Sequence, residues 1–183
     1  LKGKRVAVGA PKSGTELNAR ALFKAAGMSY SDFSKVEYIS FGQSVELMKN
    51  RQIDATLISA GLGVAAIKDL SSSIDIRLVA ISPDVIAKVG DAAYQPSTIP
   101  ANTYNGQTDA VPTAAIRNIL VTNSAVSDDD AYTMTKTLFA KLTDLHAAHK
   151  ATLAIDPKTA FVGVPVPLHP GAERYYREAG LMK

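Results

Sequence analysis

The 183-residue chain contains no cysteine and no tryptophan, only three histidines, and no apolar run as long as the roughly 18 residues that a bilayer-crossing helix needs. Without cysteine there is no disulfide, no thiolate metal site and no cysteine nucleophile. The absence suits an oxidising compartment, where stray thiols mispair, but does not identify one. Histidine chemistry has little to work with. His146 and His149 lie three apart in a helical stretch, yet no acidic residue accompanies them in a zinc-site pattern, so they read as a solvated helix end. His169 stands in a turn with no serine or aspartate partner in sequence, which leaves a catalytic triad unsupported and local hydrogen bonding as its expected role. No metal, no cofactor and no catalytic residue is expected. Clustered positive charge is also missing: the formal net charge is +3, but Lys and Arg are scattered, the densest group being Lys2, Lys4 and Arg5 at one end. Without a basic stripe interleaved with aromatics, nucleic acid is not an expected partner.

What is present is a rhythm. Over the first 82 residues a short β-branched run, a turn and a helical stretch recur. Lys4–Gly9, Val36–Ser40, Asp54–Ser59 and Ile76–Ser82 read as strands, with helices expected near Gly14–Ala26, Gln43–Asn50 and Gly63–Leu70. This alternation predicts parallel βαβ units and an α/β lobe spanning about residues 1–110. After Pro83 the rhythm stops. A short helix over Asp84–Val89 is followed by a long loop, about Ala93–Pro112, carrying Tyr94, Pro96, Pro100, Tyr104 and Gly106. That length marks a crossover or binding segment. Ala114–Asn123 reads as a strand. Ser127 with Asp128, Asp129 and Asp130 opens a long helix whose Ala131, Met134, Leu138, Leu142 and Leu145 fall at helical spacing. A proline-rich tail then leads to a helix over Gly171–Ala179, closed by Gly180. Residues 111–183 hold too few strands for a sheet of their own, so they read as a return into a first lobe whose N-terminal half is absent. The chain opens on Leu1 with no charged-then-apolar leader, and so reads as a piece of a longer precursor.

Two turns concentrate the chemistry. Gly9-Ala10-Pro11-Lys12-Ser13-Gly14-Thr15-Glu16 follows a strand and opens a helix, presenting free backbone N–H groups and the hydroxyls of Ser13 and Thr15 where a carboxylate or phosphate would sit. Ser13 and Glu16 are spaced as a capping box, Ser13 accepting from the Glu16 amide and Glu16 reaching back. The stretch is near the nucleotide-binding pattern G-x-x-x-x-G-K-[ST], but Thr15 stands where the lysine belongs, and a β/γ-phosphate would lose its countercharge. The second turn, Ser59-Ala60-Gly61-Leu62-Gly63, also follows a strand and precedes a helix. In an open parallel sheet both turns face one crevice. Gly42-Gln43-Ser44 is a weaker third candidate, since Ser40 and Ser44 also read as caps. The acidic run Asp128–Asp130 reads as helix-start charge rather than a metal site, Glu173, Arg174, Arg177 and Glu178 as an ion-paired helix face, and Tyr175 and Tyr176 as packing.

The stretches LKGKRVAVGAPKSGTELNAR, YISFGQSVELMKNRQIDATLISAG and PLHPGAERYYREAG, in that order along almost the whole chain, resemble the TAXI-type solute receptors of tripartite ATP-independent periplasmic (TRAP) transporters. The resemblance implies a type II periplasmic-binding-protein fold: two α/β lobes joined by a hinge, with a small carboxylate such as glutamate or glutamine trapped between them. It also implies a periplasmic location and delivery to membrane subunits of a secondary transporter. Ser13, Gly14, Thr15 and Glu16 match the family's Gly-Ser-Gly-Thr-Glu turn, and Ser59, Ala60 and Gly61 its second ligand turn. Lys12 departs from the small residue expected before Ser13. The family's glycine-rich N-terminal ligand loop has no counterpart here, so the chain alone is expected to bind weakly. It is also expected to expose apolar surface on Ala114–Val121 and Ala131–Leu145, and to self-associate through it.

Two other readings stand beside the receptor. One is a cytoplasmic ligand-sensing domain of similar fold attached to a DNA-binding helix-turn-helix, decided by the upstream sequence. The other is an enzyme on the same fold, which needs a general base near the two turns; Glu16 is the only ready candidate and is already engaged in capping.

Overall fold

A computed structural model of the chain describes residues 1–148 and 150–183. The fold divides into two units, Leu1–Ile116 and Arg117–Lys183.

The first unit is built on a parallel sheet of three short strands, β1 (Arg5–Ala7), β2 (Lys35–Glu37) and β3 (Ala55–Thr56), in the order β2-β1-β3. Val6 pairs with Val36 on one side of β1 and with Ala55 on the other. The ladder runs beyond the formal strands, with the Val8 N–H donating to Glu37 O (3.0 Å) and the Leu57 N–H to Ala7 O (2.9 Å). β1 is buried on both faces, which its unbroken VAV run anticipates.

Three helices and a 3-10 turn accompany this sheet. Helix α1 (Gly14–Ala25) is capped by Ser13 and ends at Gly27, whose φ of 71° is left-handed. The Gly27 and Met28 N–H groups return to Lys24 O (3.0 Å) and Phe23 O (2.8 Å), the paired bonds of a Schellman ending. A 3-10 turn (Tyr30–Asp32) follows, then α2 (Phe41–Lys49) and α3 (Ala65–Ser73). Ala19 and Phe23 of α1 meet Val6, Val8 and Phe33 in the core, where the Phe23 and Phe33 rings stand edge-on at 4.9 Å. Such a pair adds about 1 kcal/mol beyond its buried area. At the sheet's start, Arg5 grips Asp54 through Nη2–Oδ1 (2.8 Å) and Nε–Oδ2 (3.1 Å), while the Arg5 backbone N–H also donates to Oδ2 (2.8 Å).

The remainder of this unit departs from the sequence-based expectation. Ile76–Ser82 is no strand; it is irregular, with Val79 66% exposed and, among the described residues, one N–H bonded to backbone, that of Ile81 to Pro112 O (3.0 Å). A strand needs a ladder, and β3, the strand before it in the chain, is only two residues long and pairs with β1. After α4 (Pro83–Ala87), the stretch expected as a long loop contains β4 (Tyr94–Ile99), which pairs antiparallel with β5 (Val111–Ile116). Pro96 and Pro112 obscured this. They are admitted because a two-stranded ribbon has an outer edge on each strand, where a missing N–H breaks no ladder. β5 therefore replaces the strand expected over Ala114–Asn123, stops at Ile116, and holds residues 111–116 in the first unit.

The second unit is helical: α5 (Asp128–Ala140), α6 (Leu142–Ala148), a 3-10 turn (Lys150–Ala154) and α7 (Pro170–Glu178). The single long helix expected here breaks at Lys141, whose N–H is shared between Thr137 O (3.0 Å) and Leu138 O (3.3 Å), tightening the last turn of α5. Of the expected apolar stripe, Ala131 is buried but Met134 is 47% exposed, because the face turned to α7 is the one bearing Tyr132 and Phe139. Phe139 stacks on Tyr175 with centroids 5.7 Å apart, and Tyr176 is buried against Phe139 and Phe161. Gly171 is needed for this packing, since a Cβ there would lie 2.0 Å from Asp128 O.

Candidate functional site

The strand order marks a candidate crevice. β1 leads through α1 to β2 on one side, and β2 leads through α2 to β3 on the other, so the chain reverses direction at β1. In an open parallel sheet the crevice beyond the strand ends at such a reversal is where ligands lodge. The turns that follow β1 and β3 are Gly9–Glu16 and Ser59–Gly63.

The first turn is tightly determined. Gly9 has φ 98°, and a Cβ there would sit 2.7 Å from Thr15 Cγ2 and 3.1 Å from the Glu16 nitrogen, so only glycine lets α1 start this close to β1. Ala10 O accepts from the Ser13 N–H (3.1 Å), with Pro11 second and Lys12 third in the turn. Lys12 has φ 59°, the left-handed conformation required at the third position of a type II turn and costing a non-glycine residue about 1 kcal/mol. Its ammonium is exposed and forms no ion pair among the described residues.

Ser13 Oγ accepts from the Glu16 N–H at 3.2 Å. The second half of the expected capping box does not form. Glu16 is buried, and its Oε1 instead takes the Arg20 guanidinium (2.5 Å) and the Tyr30 hydroxyl (3.1 Å). Burial and the neighbouring Glu16 charge hold the Tyr30 hydroxyl well above the usual tyrosine range, while the same carboxylate raises the Arg20 guanidinium. Thr15 is buried with its methyl against Gly9, whereas Gly14 is exposed and a Cβ on it would meet nothing within 4 Å. The Gly14 and Thr15 N–H groups, at the first two helical positions, have no partner within the helix.

The second turn is tied to the first by residues that sequence reasoning did not single out. Asn18, one turn into α1, donates from Nδ2 to Ser59 Oγ (2.9 Å) and accepts at Oδ1 from the Tyr94 hydroxyl (2.9 Å). Burial raises the Tyr94 hydroxyl above its ordinary range, with the Asp91 charge adding to it. Further along, the Gly63 N–H donates to the hydroxyl oxygen of buried Tyr104 (3.1 Å). Ala60, Gly61 and Leu62 are left exposed. The available signals were faint: a poor helix former inside α1, and two tyrosines in a segment already notable for its length.

The polarity of these bonds matters. Ser13 and Ser59 both spend acceptor capacity on the protein, one on a backbone N–H and the other on the Asn18 amide. Neither hydroxyl donates a hydrogen bond among the described residues, so each keeps a proton to give. Together with the Gly14 and Thr15 N–H groups, this lines the strand ends with hydrogen-bond donors.

The other candidates resolve into structure. Ser40 and Gln43 form a true capping box, and buried Ser44 donates to Phe41 O (2.8 Å). His169 caps α7, accepting from the Gly171 N–H at Nδ1 (3.2 Å), with Nε2 3.2 Å from Val126 O. His146 sits in α6, and His149 lies outside the described residues. Asp129 pairs with Arg174 (2.8 Å), and no group of three acidic, histidine or cysteine residues capable of holding a metal exists among the described residues. Two open hollows flank α3. One of about 430 Å³ is lined by Lys68, Ser71, Tyr104 and Asn105, and one of about 500 Å³ by Lys49, Arg51, Ser73 and Asp75. Among the described residues, no helix is long and apolar enough to cross a membrane. A family model, that of the NMT1-like family, matches residues 1–180.

Proposed function

The chain belongs to the NMT1-like family, which is related to periplasmic solute-binding proteins, and from that premise we propose that its first unit forms one wall of a receptor site for a small organic anion. The ligand is a carboxylate or an amino acid such as glutamate or glutamine. It is held by Ser13, Gly14 and Thr15 on one side and by Ser59, Ala60 and Gly61 on the other. Glu16 positions rather than contacts, since its carboxylate is committed to Arg20 and Tyr30. The protein acts outside the cytoplasm as a TAXI-type receptor and delivers its ligand to the membrane subunits of a TRAP-type secondary transporter. It binds without transforming: Glu16, the carboxylate the sequence offers as a general base, is buried and engaged by Arg20 and Tyr30.

The observation that carries this reading is the bridge from Tyr94 through Asn18 to Ser59. It ties α1, whose start is the first turn, to Ser59 of the second, and the amide that Ser59 accepts leaves its hydroxyl proton free to donate.

Thermal melts of the full-length protein against amino acids, dicarboxylates and aromatic acids test it. A ligand at a hundredfold its Kd stabilises by about 2.7 kcal/mol, a shift of several degrees. A shift with one carboxylate, lost on Ser13→Ala with Thr15→Val, is the expected result. A flat panel refutes the carboxylate assignment.

A further inference from the structure

The hydroxyl and backbone donors on the two turns are neutral and the Lys12 ammonium of the first turn is exposed, yet the proposed ligand carries a full negative charge. Lys68 is placed to meet it. A Cβ built on Gly63 would lie 3.3 Å from Lys68 Cε and 3.5 Å from Nζ, so the lysine stem folds back over the turn that follows β3 and sets its ammonium beside the Gly63 backbone. Gly63 has φ 73°, which excludes most side chains there independently and keeps this position open to the lysine. No carboxylate lies within ion-pair distance of Lys68 among the described residues, although Lys49, on the neighbouring helix, is held by Glu46 (3.3 Å) and Asp69 (2.8 Å).

The surroundings of Lys68 share its character. Among the described residues it is the only charged one lining the hollow of about 430 Å³ between α3 and the loop joining β4 to β5. Tyr104 belongs to that hollow and also accepts from the Gly63 N–H, so hollow and turn are continuous. Several polar groups there are already satisfied: Ser71 Oγ donates to Lys68 O (3.0 Å) and accepts from the Asn105 N–H (3.3 Å), and Thr103 donates to Pro100 O (2.7 Å). The three ammonium donors of Lys68 have no such partner among the described residues.

We propose that Lys68 is the countercharge for the ligand's carboxylate, and that the polar body of the acid extends from the Ser59–Gly63 turn into the hollow beside Tyr104. This rests on the receptor reading above and deepens it: the ligand class narrows to small acids with polar bodies, and aromatic acids are disfavoured by a wall of hydroxyls and amides.

The test is calorimetric titration of the full-length protein with L-glutamate, succinate and benzoate, on the wild type and on Lys68→Gln, Lys68→Arg and the charge-matched control Lys88→Gln. Loss of a charge-assisted hydrogen bond raises Kd about tenfold or more. The expected result is that glutamate or succinate binds more tightly than benzoate. Lys68→Gln then weakens the better of the two at least that much, while Lys68→Arg and Lys88→Gln stay near wild type. Wild-type affinity in Lys68→Gln, with binding lost in Ser13→Ala/Thr15→Val, overturns the role of Lys68 and leaves the receptor reading standing. Binding untouched by either change, or no binding of any of the three acids, overturns both. Benzoate binding as tightly as the polar acids overturns the placement of the ligand body. Should Lys68→Gln not fold, reductive methylation of the wild type decides: saturating ligand must slow modification of Lys68 and not of Lys88, and equal rates overturn the proposal.

Discussion

A methyl group on Gly9 would collide with Thr15 and force a left-handed backbone onto a residue that resists it. Gly9→Ala is therefore expected to destabilise the protein by about 2 to 4 kcal/mol, read as a lower midpoint in urea denaturation with an unchanged slope. Gly14 provides the contrast. Nothing surrounds its Cβ position, so Gly14→Ala should be nearly neutral for stability, and any loss of carboxylate affinity in that variant reports on the site rather than the fold. Asn18 lies between these two cases. Asn18→Ala removes one side-chain bond on each side and leaves Ser59 and Tyr94 without their shared partner, at an expected cost of about 1 to 2 kcal/mol.

At the scale of elements, the Arg5–Asp54 contact joins the first residue of β1 to the residue preceding β3. The guanidinium, first by its side-chain bonds and then with the Arg5 backbone N–H, holds the Asp54 carboxyl well below the usual carboxylate range. The folded pKa is depressed, so the stabilisation is complete above the unfolded value of about 3.9 and is lost as pH falls below it. Denaturation followed from pH 7 to 2 should show this loss, and Asp54→Asn should be less stable at pH 7 yet less sensitive to acid. Gly171→Ala tests the second unit in the same way. Its methyl would strike the α5 backbone at Asp128, and α7 should detach at a cost of about 3 kcal/mol, visible as early hydrogen exchange over α7.

These elements also show what the sequence could and could not convey. The strand–turn–helix units were legible because β1 is an uninterrupted apolar run and because Ser13, Gly27 and Ser40 mark their helices by chemistry local to each end. The hairpin of β4 and β5 was hidden by prolines that a free sheet edge tolerates. Ile76–Ser82 misled in the opposite direction, since its composition favours a strand but no partner ladder is there to complete it. The site was half legible. The two turns announce themselves through glycine and hydroxyl residues, whereas the contact of Asn18 with Tyr94 spans 76 residues, a separation that no local pattern encodes. The tail motif PLHPGAERYYREAG proves to be a packing signature, with His169 capping, Gly171 giving way to α5, Arg174 pairing with Asp129, and the two tyrosines closing on Phe139.

On the scale of the whole molecule, the second unit leaves apolar side chains in water. In the segment before α5, Leu120 is 74% and Val121 65% exposed in an irregular stretch whose backbone forms no ladder. Exposed apolar chain with unpaired backbone groups is prone to pair with a second copy. The purified chain is expected to show concentration-dependent mass by light scattering, relieved by Leu120→Lys with Val121→Lys. A monomer at all concentrations would refute this.

Asn18 carries one more consequence. Its amide is wired in one direction, taking a proton from Tyr94 at the oxygen and offering one to Ser59 at the nitrogen. Exchanging that nitrogen for oxygen, as in Asn18→Asp, creates a carboxylate that accepts at both ends. Ser59 must then turn its proton inward, and a negative charge appears behind the strand ends. Asn18→Asp should therefore lose carboxylate affinity more severely than Asn18→Ala, read by calorimetric titration.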